Sequence, residues 1–350
     1  MTLVDLDGVQ MRQETVAFDV MDAALNVIGA VYPVRDSPPR VNNDTRRTIK
    51  RSLSGMTLTP VDAAAVNPFT DRIRPRWVIA GDSAVYPLGV FLFADANELV
   101  RSSGATLDAE LVDQMFIVDQ PILSTVSYPI GQPLDTAIAD LASTVSVPLV
   151  QVDASGLTLQ RPATWPGGTS LYRILADLCV LAGFLPPYFD STGTLRCVQA
   201  PDPGTATATR SYPAGSPIID PSIVRTDELL TAPNLWVIVD TGATAGPIVG
   251  TYELPAAAPH SFFHRGFYVT SYTEQQGLFS AAAADAAAQA LAVTDPHGVE
   301  RASFDTVCDP RHDTFDVVDY GGRRWLEEAW SVACVAGASQ SHEMRALYDT

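Results

Sequence analysis

Lysine is almost missing from this chain: Lys50 stands alone against twenty-one arginines. Exposed positions tolerate either cation, so the imbalance speaks of composition rather than of function. Positive charge is scarce altogether, with 22 basic against 40 acidic residues and a net charge of −18. Such a surface repels phosphate backbones and excludes nucleic-acid binding by charge neutralisation. It suits a wall that DNA slides past, and it suits solubility at high concentration equally well. Cysteine is sparse too. Cys179, Cys197, Cys308 and Cys334 lie far apart with no CxxC pair. That excludes a cysteine metal knuckle and points to buried or partly buried free thiols in a protein assembled in the cytosol. No uncharged apolar run approaches the ~20 residues needed to span a bilayer. Asp5 and Asp7 stand where a signal peptide would carry positive charge, so synthesis in the cytoplasm is expected.

What is present is a chain of 350 residues, enough at ~100–200 residues per domain for two or three domains. Hydrophobic content of 47% with 18% charged residues describes an ordered globular protein. Twenty-six prolines, spread outside three short segments, favour short strands over long helices. Residues 1–125 are expected to form an N-terminal β-barrel-like domain, with strands at Val16–Val20 and Ala30–Val34. A hairpin is expected from Arg76–Ile79 to Val85–Phe93. Residues 126–200 are expected to form a small α/β module. Its strongest helix runs from Ser170 to Phe184, with Leu171, Ile174, Leu175, Leu178 and Leu181 in one stripe, Ser170 as cap and Gly183 as stop. Residues 201–217 are rich in Pro, Gly, Thr and Ser and predict a linker. Residues 218–350 are expected to form a second β-barrel-like domain with one Ala-rich helix over 280–293 and a hairpin about Gly321-Gly322.

The stretch from Arg46 to Phe93 is too idiosyncratic for generic packing. A basic run ending in Ser-Leu-Ser-Gly leads to Asn67-Pro68-Phe69-Thr70-Asp71-Arg72, then Arg74-Pro75-Arg76-Trp77 and Tyr86-Pro87-Leu88-Gly89-Val90-Phe91. It resembles the N-terminal region of minor tail proteins of actinobacteriophages, a group similar to the baseplate hubs of siphophage tails. Weaker matches follow in order: Trp165-Pro166-Gly167-Gly168, Phe189-Asp190-Ser191-Thr192-Gly193, Ala232-Pro233-Asn234, His264-Arg265-Gly266 and Cys308-Asp309-Pro310-Arg311-His312. The resemblance implies a mostly-β tail-hub fold and a structural virion protein at the distal end of the tail. It further implies a homotrimeric ring that adapts sixfold tail symmetry to a threefold tip around a channel for DNA. The implied partners are the distal tail protein ring, the tape measure protein and other minor tail or tip proteins, with DNA only in transit. The sequence runs to Thr350, and no appended lysozyme, peptidase or lectin domain is expected, a departure from the family pattern.

Chemistry-bearing motifs are few. Val237–Val239 running into Asp240-Thr241-Gly242 has the letters of an aspartic-protease turn, whose carboxylate must share a proton with a second one. The chain has one such tripeptide, and a strand end entering a turn explains it as well. Asp309, His312, Asp313 and Asp316, with His297 upstream, are metal-ligand types, but they equally fit a solvated loop entering a strand. Gly81-Asp82-Ser83 lacks the Gly-x-Ser-x-Gly elbow of a hydrolase. The tryptophans are expected as core or interface anchors. No catalytic, cofactor or metal residue is therefore assigned, no cofactor is expected, and the protein is expected not to be an enzyme. Arg46, Arg47, Arg72, Arg74 and Arg76 are the candidate interface residues, their guanidinium forks suited to carboxylates in a ring. The alternatives are a virion-associated hydrolase built on Asp240 and a receptor- or glycan-binding tip module.

Overall fold

The computed structural model describes the chain apart from residues 1–4, 7–8, 11–12, 35, 102–103, 203–204, 214–223, 228–229, 241–246, 276–279, 296–299, 321 and 348–350. The first third is all strand but for one turn of helix: β1 (Asp5–Leu6), β2 (Val9–Gln10), β3 (Glu14–Met21), β4 (Val27–Val31), β5 (Arg40–Asp44), β6 (Arg51–Leu58), α1 (Pro60–Ala63), β7 (Arg72–Ile79), β8 (Val85–Pro87), β9 (Phe91–Arg101) and β10 (Gly104–Asp113). Strand β6 shows why: Leu53, Met56 and Leu58 are buried while polar neighbours face outward, and a bulge against β10 absorbs Gly55 at φ 72°. The strands run β6-β10-β9-β7-β3-β4. Pro33 then bridges to Leu58, and Val34 N–H donates to the Thr57 carbonyl at 2.9 Å, returning the sheet to β6. The N-terminal barrel is thus closed, and closure removes the open edges that a flat sheet would expose. Its interior holds Trp77, Phe91, Leu53, Met56 and Ile73.

The middle contains α2 (Met115–Val118), β11 (Val126–Tyr128), α3 (Leu134–Ala142), β12 (Val150–Val152), β13 (Ala163–Trp165), α4 (Leu171–Ala182), β14 (Tyr188–Phe189) and β15 (Leu195–Cys197). Helix α4 starts where Ser170 Oγ accepts the Arg173 N–H and stops where Gly183 turns left-handed at φ 71°. Its predicted stripe, Leu171 to Leu181, is buried against α3. Thr106 to Val118, whose letters mix signals, are most of β10 followed by α2.

The remainder comprises β16 (Arg210–Tyr212), β17 (Val224–Asp227), β18 (Leu235–Asp240), β19 (Ile248–Glu253), α5 (Phe262–Arg265), β20 (Thr270–Glu274), α6 (Ala281–Thr294), β21 (Glu300–Val307), β22 (Val317–Tyr320), β23 (Arg323–Ala333) and β24 (Ser339–Ala346). The expected hairpin forms between β22 and β23, with Gly322 at φ 77°. Within 201–217, Arg210–Tyr212 pair in parallel with β22 and Tyr212 is buried. The structure also divides 218–350 by its packing. Sheet β19-β18-β20 and α6 share a core with α3 and α4, through Ile238, Ala284, Ala287 and Ala288. An alanine face lets a helix lie close to both neighbours, which the letters alone do not disclose. Strands β21 to β24 instead continue the first barrel's sheet: β23 pairs with β5 from Ala329↔Asp44 to Ala333↔Arg40. Cys308, Trp330, Val332 and Cys334 thereby enter the N-terminal core. All four cysteines are free and buried, in line with the sequence expectation.

Candidate functional site

The two β regions meet where β5 turns into β6, and the cations of that turn are spent on the junction. Arg51, at the head of β6, is fully buried. Its Nη1 donates to the Leu88 carbonyl at 3.1 Å, its Nη2 to Thr314 Oγ1 at 3.1 Å and to Asp313, and its guanidinium lies 5.4 Å from the Trp330 ring. Asp313 in turn accepts the Ser191 N–H at 3.0 Å, and Asp113 accepts the Arg51 backbone N–H at 2.9 Å. One guanidinium therefore ties the first barrel, the middle module and the last β region together. Burial pushes the Asp113 carboxyl up to about 6.

Lys50, the lone lysine, is 3% exposed, with Nζ donating to the Thr45 and Arg47 carbonyls at 3.1 and 2.9 Å. Burial drives its amine down to about 8. The lowered pKa favours the nucleophilic amine, but enclosure denies a reagent access to it. Amine-reactive acylation of native protein at pH 8.5 is expected to leave Lys50 unmodified, and denaturation to expose it. Peptide mass mapping checks this, and prompt labelling in the folded state would contradict the burial.

Five arginines were expected to share an interface, and the structure places them in two groups. Arg46 pairs with Asp44 at 2.7 Å and Glu343 at 3.0 Å; Arg47 pairs with Asp44 at 3.3 Å and is 74% exposed. Both border a cleft of about 850 Å³ that also has Asp119, Asp305, Trp330 and His342 on its walls. Arg74 and Arg76 lie on β7, where both grip Asp19 at 2.7 and 2.9 Å, and Arg72 is buried on the same strand. Strands β6, β10 and β9 separate β5 from β7 in the sheet. The carboxylates that these forks meet belong to the same chain.

The 309–316 segment departs from expectation. A solvated loop does not describe it, because His312 is buried inside the last β region. His312 Nδ1 lies 2.6 Å from Glu327 Oε2, and His342 Nδ1 lies 2.5 Å from Glu327 Oε1. The opposite ring nitrogens meet hydroxyls, His312 Nε2 at 2.6 Å from Tyr212 and His342 Nε2 at 2.9 Å from Thr306. Glu327 shares the inward face of β23 with Trp325 by strand alternation, and the bulge between Glu327 and Ala329 turns Trp330 to that face as well. Phe315, left-handed at φ 63°, turns the loop so that Asp316 Oδ2 comes within 3.9 Å of His312 Nδ1. Burial pushes Glu327 up, but the two imidazoles outweigh it and hold the carboxyl at about 2. Asp316, buried beside Glu327, is raised to about 6. Asp309 stands apart, paired with Arg311 at 2.7 Å, and His297 lies outside the described residues.

Asp240 ends β18 fully buried and pairs with the guanidinium of Arg161. A cation, rather than a second carboxylate, faces it, which is the opposite of the shared proton a protease dyad requires. Thr241 and Gly242 lie outside the described residues. In Gly81-Asp82-Ser83, Asp82 accepts the Ala84 N–H at 2.9 Å and the Tyr86 hydroxyl, the bonds of a hairpin turn. Trp77, Trp236, Trp325 and Trp330 are buried, as anchors of cores. Sequence reasoning missed Glu327 and His342. His342 alternates with Gln340 and Met344, all three buried, so strand periodicity carried a signal for it.

No family model matches the sequence, and no curated protein matches it. Solved structures do resemble it. A tail protein from Neisseria meningitidis aligns over 95% of this chain and 96% of its own, with a TM-score of 0.59 at 11% identity. A 43 kDa prophage tail protein from Shewanella oneidensis aligns over 95% and 98%, with a TM-score of 0.59 at 13% identity. A prophage tail protein from Listeria monocytogenes aligns over 94% of each chain, with a TM-score of 0.58 at 10% identity. The fold is that of phage tail proteins, mostly β as the sequence implied, and it extends over nearly the whole chain. Among the described residues no helix is long and apolar enough to cross a membrane.

Proposed function

We propose that this chain is a structural protein of a phage-type tail, working as the hub at the distal tip. In this reading three copies close a ring below the tail tube, adapt its sixfold symmetry to a threefold tip, and leave a channel through which DNA passes. The observation that carries it is the full-length likeness to prophage tail proteins, with both β regions joined in one continuous sheet. A net charge of −18 supports a channel wall to which DNA does not adhere. Ring closure by identical subunits needs a heterologous contact, one face of each protomer meeting a different face of the next. The Arg46–Arg47 corner, with its exposed Arg47, is the proposed part of that contact, Arg74 and Arg76 support the barrel wall behind Asp19, and Arg72 is buried on the same strand. Neighbours in the assembly would be a distal tail ring, a tape measure protein and other tip proteins.

The test is a density map of the intact particle. Three copies at the far end of the tail are expected; absence from the tail would refute the reading. In solution, light scattering of concentrated protein is expected to give a mass about three times the 37.4 kDa of one chain. The hydrolase alternative predicts peptide cleavage that disappears in Asp240→Asn, whereas a hub shows no cleavage in either form.

A further inference from the structure

We infer that His312, Glu327 and His342 form a structural site for a divalent transition ion, best suited to zinc. Three donor atoms from separate segments, two imidazole nitrogens and a carboxylate, lie within 4.8 Å of one another. Imidazole and carboxylate are the ligands that zinc takes in four-coordinate sites. Both histidines point the same nitrogen, Nδ1, at the Glu327 carboxylate, and both anchor the far nitrogen on a hydroxyl, Tyr212 or Thr306. Inner nitrogen to the ion and outer nitrogen to a fixed hydrogen-bond partner is the arrangement that orients a metal-binding imidazole.

Charge points the same way. Glu327 is fully buried in one β region, and the mostly buried Asp316 brings Oδ2 to 3.9 Å from His312 Nδ1 as a further oxygen donor. A dication held there would meet the Glu327 carboxylate directly, with the Asp316 oxygen within reach. The ion would staple the loop after β21 to β23 and β24, and through Tyr212 would hold β16 as well. The site does not depend on the tail-tip assignment.

The test uses the full chain, stripped with a chelator and titrated with zinc chloride. One zinc per chain is expected by elemental analysis, with cobalt giving the visible absorption of a four-coordinate nitrogen–oxygen site. Zinc at a hundredfold excess over its dissociation constant is expected to raise the melting temperature by about 5 °C. Tyr212→Phe keeps all three ligands and is expected to bind zinc about 10–100-fold more weakly, while His342→Gln loses the stoichiometric site. Stripped wild-type protein that takes up no zinc, or melts identically with and without it, overturns the inference. So does uptake undiminished in His342→Gln, which would assign the zinc to surface carboxylates; magnesium serves as the control for those.

Discussion

Replacing Gly250 with alanine is expected to destabilise the fold by about 3 kcal/mol or more, at the upper end of what overpacking costs. Gly250 is buried in β19 opposite Ile238, directly under α6. A methyl there would stand 2.0 Å from the Ala284 carbonyl carbon, 2.2 Å from its oxygen and 2.5 Å from its Cβ. Two of those three atoms are backbone, so no rotamer change relieves the clash and the whole helix must move. It has little room. Ala286, on the same helix, sits against the α4 stop, 3.4 Å from where a Gly183 Cβ would be. Helix α6 is therefore clamped between β19 and α4, with Ala284, Ala287 and Ala288 sealed in the shared core. Ala284→Gly is not expected to rescue the variant, because it removes only the farthest of the three obstacles. Gly266→Ala is the control: its φ of 73° makes alanine cost about 1–2 kcal/mol, but nothing lies within 4 Å. Urea unfolding of the three variants checks the order. A Gly250→Ala protein within about 1 kcal/mol of wild type would mean that α6 does not lie this close.

That clamp also marks where the sequence stopped being legible. Periodicity placed α4 to within a residue at its start, because Ser170, the leucine stripe and Gly183 all act within one helix. The β22–β23 hairpin was legible for the same reason, its turn chemistry being local. The residues that join distant segments were not. Ala281–Ala290 announces a helix but not its neighbours, and alanine packs equally well against a barrel or another helix. Glu327 follows Trp325 on the inward face of β23, but the bulge just after it breaks the alternation that would have marked that face in the letters. His312 could not be distinguished from a loop histidine, since its partners come from 15 and 30 positions further along and from Tyr212, 100 positions back. The arginines were legible as a group seeking carboxylates, but which carboxylates is a matter of strand order. Asp19 reaches Arg74 and Arg76 only because β3 pairs with β7.

Arg51→Ala is expected to cost about 3–5 kcal/mol, the loss typical when one partner of a buried charged network is removed. The reason lies in what the guanidinium leaves behind. The Leu88 carbonyl and Thr314 Oγ1 lose donors, and Asp313 loses its cation while still holding the Ser191 N–H. Trp330 loses the flat cation beside its ring. Arg51→Lys is expected to recover only a minor part, because an ammonium is a point donor and cannot serve Leu88, Asp313 and Thr314 from one plane. Asp313→Ala is expected to be milder than Arg51→Ala, since Asp313 is about a quarter exposed and water takes over part of its role. A double-mutant cycle of Arg51 and Asp313 separates their direct pairing from the other bonds. The readout that matters for a tail component is coupling between regions. With Arg51 intact, urea unfolding followed at Trp77 in the first barrel and Trp325 in the last β region is expected to coincide. In Arg51→Ala the two transitions are expected to separate, because the remaining ties are the short β5–β23 ladder from Ala329↔Asp44 to Ala333↔Arg40, the Arg46–Glu343 pair and the four side chains that β21–β24 lend to the first core. If they stay superimposed and the loss is under about 1 kcal/mol, the ladder and the shared core make the two β regions one body, and Arg51 merely fills the seam.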